Sequence, residues 1–186
     1  MAYLALSRPK LPETSMRIAA LVLTSSIVVG PALAQASKEE GVVIGPWKVE
    51  AVSKGQKFER CTMTRTTDDG VEVEFARDAN GLDLTMSSPK WKLGRGKSYP
   101  VELAAGSSVL QATVAASGNA VSLPVKDERF LKSLKLADAL DVKGEGATIK
   151  VALEKSAAGL DRLEACYAKN GSATETNPFV APSRKP

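Results

Sequence analysis

The sequence has no histidine in 186 residues. That absence removes Ser-His-Asp and Cys-His nucleophilic catalysis and most zinc and copper sites. Aromatic residues make up 5% of the chain, too few for a platform that stacks sugars or bases. Cysteine is scarce as well. Cys61 and Cys166 stand alone, with no Cys-x-x-Cys pair and no flanking basic cluster to lower a thiol pKa. The nucleophile elbow Gly-x-Ser-x-Gly does not occur. The oxygen-ligand spacing of a calcium loop is missing around Asp68, Asp69 and Asp78. These gaps leave no metal, cofactor or nucleophile to build on.

What is present begins with an export pattern. Arg8, Lys10 and Arg17 form a basic stretch, 18–29 an apolar one, and Pro31-Ala32-Leu33-Ala34 a small-residue cleavage site. Residues 1–34 read as a signal peptide, with Met16 as an alternative start. The apolar run is too short and too closely followed by small residues for a permanent span. The formal net charge is +4. Removing residues 1–34 takes away Arg8, Lys10 and Arg17 against Glu13 alone, so the mature excess is two charges smaller. A mature chain so close to neutral is not built to bind nucleic acid. In an exported protein Cys61 and Cys166 are expected to form a disulfide. Closing so long a loop stabilises by about 4–5 kcal/mol in a chain-entropy treatment.

The mature chain divides into a flexible leader (35–45), one β-rich domain (46–170) and a disordered tail (171–186) rich in Ser, Thr, Asn and Pro. Within the domain, Trp47, Val49 and Ala51 alternate with polar positions, and Val71, Val73 and Phe75 alternate with Glu72 and Glu74. In Asp78-Ala79-Asn80-Gly81, the Asn-Gly pair predicts a type I′ hairpin turn. Pro124 moves the strand at 120–125 toward a sheet edge, open to a partner strand. Asp127 caps a helix over 128–136 with Phe130, Leu131 and Leu134 on one side. A strand over 148–153 precedes a last helix with Ser156 as N-cap, Leu160, Leu163 and Tyr167 as core face, and Asn170-Gly171 as stop. Short strands and regular turns predict an antiparallel β-sandwich or open barrel. One or two short helices accompany it, the C-terminal one packed on the sheet.

Gly94-Arg95-Gly96-Lys97-Ser98 ends like a phosphate loop, but Trp91 stands where the first glycine belongs. The same loop is basic and aromatic: Lys90, Trp91, Lys92, Arg95 and Lys97. Such a patch fits an anionic partner. The carboxylates form no evident acid–base pair, because one of the two would have to sit in an apolar pocket.

Gly45-Pro46-Trp47-Lys48-Val49, then Cys61, then Phe130 with Leu131 and Leu134 follow one another along the chain. After them comes Ala147-Thr148-Ile149-Lys150-Val151-Ala152-Leu153, ahead of Gly159-Leu160. In this order the chain resembles the invasion-associated locus B-like proteins, small exported proteins of Alphaproteobacteria. The resemblance implies a periplasmic or secreted β domain without enzymatic activity, sometimes linked to host-cell entry or envelope stress. It implies no catalytic residues.

The sequence thus leads to an exported, monomeric, non-enzymatic binding protein of the bacterial envelope, without cofactor or nucleic acid. Its contact residues would be Lys90, Trp91, Lys92, Arg95 and Lys97, facing a protein or an anionic envelope component. The alternative is a carboxylate-dependent hydrolase of cell-wall or glycan substrates.

Overall fold

The structure, a computed structural model, describes residues 36–38 and 41–171. The signal peptide expected at 1–34 and the tail from 172 onward lie outside the described residues. Among the described residues no helix is long and apolar enough to cross a membrane.

Among the described residues eleven strands form a single antiparallel sheet. In chain order they are β1 (Ala36–Lys38), β2 (Val42–Ile44), β3 (Trp47–Lys54), β4 (Lys57–Thr66), β5 (Glu72–Asp78) and β6 (Gly81–Ser87). Then follow β7 (Ser98–Ala105), β8 (Ser108–Ser117), β9 (Ala120–Pro124), β10 (Ala139–Lys143) and β11 (Thr148–Ala152). Helix α1 (Glu128–Leu136) links β9 to β10, and α2 (Ser156–Gly171) ends the described chain. The spatial order is β1-β3-β4-β5-β6-β9-β8-β7-β10-β11, with β2 also on β3. The sheet is not closed, but it curls until its last strand meets its first ones. Trp47 Nε1 on β3 donates to the Glu154 carbonyl just past β11 at 2.9 Å. The Arg65 guanidinium on β4 stacks over the Trp47 ring at 5.3 Å and donates to the Ala152 carbonyl of β11. The result is an open barrel made from one sheet.

Alternation explains the core. Trp47, Met63, Phe75, Leu84, Leu103, Leu140 and Val151, one from each of seven strands, are fully buried. Burial of each such side chain is worth about 1.5–3 kcal/mol relative to exposure. A β-bulge on β4 keeps Phe58 on the inner side with Cys61. Between Val52 and Ser53 of β3 the register steps from Arg60 to Phe58, leaving Glu59 as the extra residue.

Helix α2 packs on β3, β4 and β5 through Leu160, Leu163 and Cys166. Gly159 makes the approach possible, since a Cβ there would lie 2.8 Å from Met63 Cε and Sδ. Cys166 is bonded to Cys61, 105 residues away. Tyr167 meets Phe58 at 6.0 Å between ring centroids. The C-terminal helix is therefore packed on the sheet, as the sequence implies. Helix α1 begins as expected, with the Asp127 carboxylate accepting from Phe130 N at 2.9 Å. It buries Phe130 and Leu134.

Four details differ from the sequence reading. Part of the leader at 35–45 is strand: β1 pairs Val52–Lys54 and β2 pairs Trp47–Val49 of β3. Runs of three residues are too short to announce themselves by periodicity. The hairpin after β5 turns on Ala79 and Asn80, with Asp78 opposite Gly81. No type I′ turn forms, because neither Ala79 nor Asn80 has positive φ; Gly81 does, at 137°. The Asp78 carboxylate instead accepts from the N–H groups of Asn80 and Gly81. Strand β9 is interior, between β6 and β8. Pro124 is tolerated because pairing with β8 ends at Ser122 and only β6 continues beside it. Ser156 does not cap α2. Its hydroxyl donates to the Leu134 carbonyl at 2.7 Å, tying α2 to α1.

Candidate functional site

Helix α1 covers the end of the barrel where β8 starts: Ser133 Oγ lies 2.6 Å from Ser108 Oγ. The other ends of these strands behave differently. There the inward rows of β6 to β11 continue outward as Met86, Val101, Val114, Val121, Val142 and Ile149, and among the described residues neither helix lines them. Met86 pairs with Val121, Val114 with Tyr99, and Val142 with Ile149 across the ladders. These side chains wall a cavity of about 550 Å³. Pockets for small molecules run from roughly 300 to 1,000 Å³.

The loop between β6 and β7 (88–97) forms one lip of this mouth. Trp91 and Leu93 are half-buried against the core and turn their apolar surfaces into the cavity. Lys90 and Lys92 line the same cavity and are exposed. The opposite lip is the β10–β11 turn, Gly144-Glu145-Gly146-Ala147. Among the described residues Glu145 is the one carboxylate lining the mouth.

The lip is anchored rather than free. Buried Ser88 is tied to Asn119 twice: Ser88 N donates to the Asn119 carbonyl at 3.2 Å, and the Asn119 side-chain Nδ2 donates to Ser88 O at 3.2 Å. Trp91 N donates to Ser88 O at 3.1 Å. Gly94 N donates to the Tyr99 hydroxyl at 3.1 Å, and Ala116 N to Lys97 O at 2.8 Å. These bonds hold Trp91 over the mouth without a regular element.

Of the five residues singled out in the sequence, the structure brings Lys90, Trp91 and Lys92 to the cavity. Arg95 and Lys97 lie further along the same loop, exposed and away from its lining. The Gly-Lys-Ser of this loop runs into strand β7, so no helix N-terminus follows it to receive a phosphate. The apolar walls were legible only as strand faces, since a row that lines a mouth has the same period as a row that fills a core.

One flanking ion pair stiffens the β7–β10 seam beside the mouth. Lys143 Nζ lies 2.8 Å from Glu102 Oε1, and Gln111 Nε2 donates to Glu102 Oε2 at 2.8 Å. The hydrogen bond from Lys143 holds the Glu102 carboxyl below its ordinary range, with Gln111 adding to the effect. Glu102 in turn raises Lys143.

Two carboxylates line another cavity. A cavity of about 320 Å³ between α1, α2 and Leu82 is lined by Glu128 and Glu164. Both are exposed, and Glu164 accepts from Arg77 Nε at 3.2 Å. Neither meets the requirement for a general acid, a carboxyl desolvated in an apolar pocket. Among the described residues, no cluster of three or more Cys, Asp or Glu is placed to hold a metal ion.

Comparison with protein-family models, curated proteins and solved structures finds no match.

Proposed function

We propose that this chain is an exported, non-enzymatic binding protein of the bacterial envelope, periplasmic or secreted, and that it works through the mouth of its barrel. The observation that carries this reading is the convergence of Lys90, Trp91 and Lys92 on an apolar cavity of about 550 Å³. An apolar pocket with a few charged groups at its rim is the usual form of a ligand site. The disulfide between Cys61 and Cys166 is compatible with an oxidising compartment. The order of motifs resembling the invasion-associated locus B-like proteins favours the same compartment and a role without catalysis.

The hydrolase reading has less support. Glycoside hydrolysis takes two carboxyl groups about the scissile bond, and among the described residues the mouth offers Glu145 alone.

The test compares the mature protein with a variant in which Lys90, Lys92, Arg95 and Lys97 are all Ser. Both are incubated with solubilised envelope from the source organism at low and high salt. Retention of an anionic component by the parent, lost in the variant and at high salt, is the expected outcome. Equal retention by both proteins removes the loop from the contact.

A further inference from the structure

Resting on that reading of the mouth, we infer that its occupant is a single-chain amphiphile. A linear acyl chain enters the barrel, and an anionic headgroup stays at the lip beside Lys90 and Lys92. The mouth is divided in chemistry along its depth. Its floor is made of Met86, Val114, Val121 and Val142, all buried, with Val101 and Ile149 higher on the walls. Among the described residues no charged side chain is part of that floor, so a polar ligand would lose its water there without replacement partners. An acyl chain needs none.

The rim has the opposite character. Lys90 and Lys92 project from the lip that also carries Trp91, and Lys97 and Arg95 follow along the same loop. Lys143 is not part of this field, because Glu102 engages it. Glu145, on the facing lip, opposes an anion. Among the described residues the cations on the rim therefore outnumber its single carboxylate and favour a carboxylate or phosphate headgroup over an ammonium one. Trp91 lies where the two regions meet, its ring against apolar wall and its loop in water. That is the place an indole takes at any boundary between oil and water.

Direct titration tests this on the mature protein, by calorimetry and by tryptophan fluorescence in a Trp47→Phe background that leaves Trp91 as the one indole, below the concentration at which each probe forms micelles. The probes are octanoate, decanoate and dodecanoate, with dodecanol and lauroyl-lysophosphatidylglycerol as further arms. Affinity is expected to rise about fourfold per added methylene, the equivalent of burying each one. Replacing Lys90 and Lys92 together by Gln should weaken dodecanoate about two- to fivefold at low salt and leave dodecanol unchanged. Glu145→Gln should strengthen dodecanoate binding. Tighter binding of the lysophospholipid than of dodecanoate identifies a lipid headgroup, and the reverse a free fatty acid; either agrees with the proposal.

Affinity independent of chain length overturns the acyl occupant. If lysine dependence persists in that case, the anionic contact surface still stands. Chain-length dependence without any effect of Lys90, Lys92 or Glu145 overturns the headgroup assignment. Val101→Trp, which fills the cavity, should abolish dodecanoate binding, and unchanged binding by that variant also overturns the proposal. If Val101→Trp does not fold, the chain-length series on the parent protein decides.

Discussion

Trp47 and Glu154 are joined by a hydrogen bond, indole N–H to backbone carbonyl at 2.9 Å, across 107 residues of sequence. The Trp47 ring is wholly buried and tilts 55° against Phe75, with centroids 5.9 Å apart. This one side chain therefore links the first full-length strand to the segment between β11 and α2. It stands where the curled sheet comes back on itself.

Trp47→Phe keeps an aromatic ring but removes the N–H and part of the volume. The Glu154 carbonyl loses its donor, and a small void opens beside Phe75. We expect a loss of about 1–3 kcal/mol in urea denaturation with an unchanged m-value. A loss below a few tenths would mean that the seam at β11 is held by Arg65 and backbone contacts instead.

The disulfide should reinforce the fold without being required for it. In the double variant Cys61→Ala, Cys166→Ala, the chain-entropy limit is a loss of about 4–5 kcal/mol. We expect a cooperative thermal transition at lower temperature, with native far-ultraviolet circular dichroism below it. Absence of any transition would show that the barrel depends on the covalent tie.

Asp127→Ala tests the N-cap of α1. The carboxylate accepts from Phe130 N, and its removal is expected to cost about 1 kcal/mol. Asp127→Asn should recover most of it. Chemical denaturation of the three proteins checks both statements, and equal losses in Ala and Asn would point to charge rather than capping.

The Glu102–Lys143 pair predicts a pH dependence with a definite sign. The Glu102 pKa is lowered in the folded state, so its contribution is complete above the unfolded value and is lost as pH falls through the folded one. Lys143 is raised, so its contribution holds below its unfolded value and is lost as pH rises through the folded one. The pair therefore acts between the two carboxylate and ammonium transitions. In Lys143→Met the Glu102 carboxyl should titrate at higher pH, read from its side-chain carbon signal by NMR. An unmoved titration would leave Gln111 as the dominant partner.

Much of this architecture was legible because it rests on local rules. The Val71, Val73, Phe75 alternation gives β5, and Asp127 ahead of Phe130 and Leu134 gives α1 with its bounds. The loop carrying Lys90, Trp91 and Lys92 stood out by composition. What sequence did not reveal depends on neighbours distant in the chain. Pro124 would exclude an interior place for β9 only if β8 ran on beside it, and pairing with β8 stops at Ser122. Ser156 has the form of a cap, but the Leu134 carbonyl lies nearer to its use. The mouth itself requires knowing that β7 lies between β8 and β10. Only that order sets the 144–147 turn across from Trp91.

The Cys61–Cys166 bond also fixes an order of covalent assembly. Cys61 lies in the fourth strand, and its partner comes in the last helix. During synthesis the earlier thiol therefore has no proper partner until nearly the whole domain exists. Any product ending before residue 166 carries a lone, unbonded Cys61 sulfur and lacks the end of α2. The bond is thus a chemical mark of completeness, and a thiol-reactive reagent under native conditions would separate finished molecules from interrupted ones.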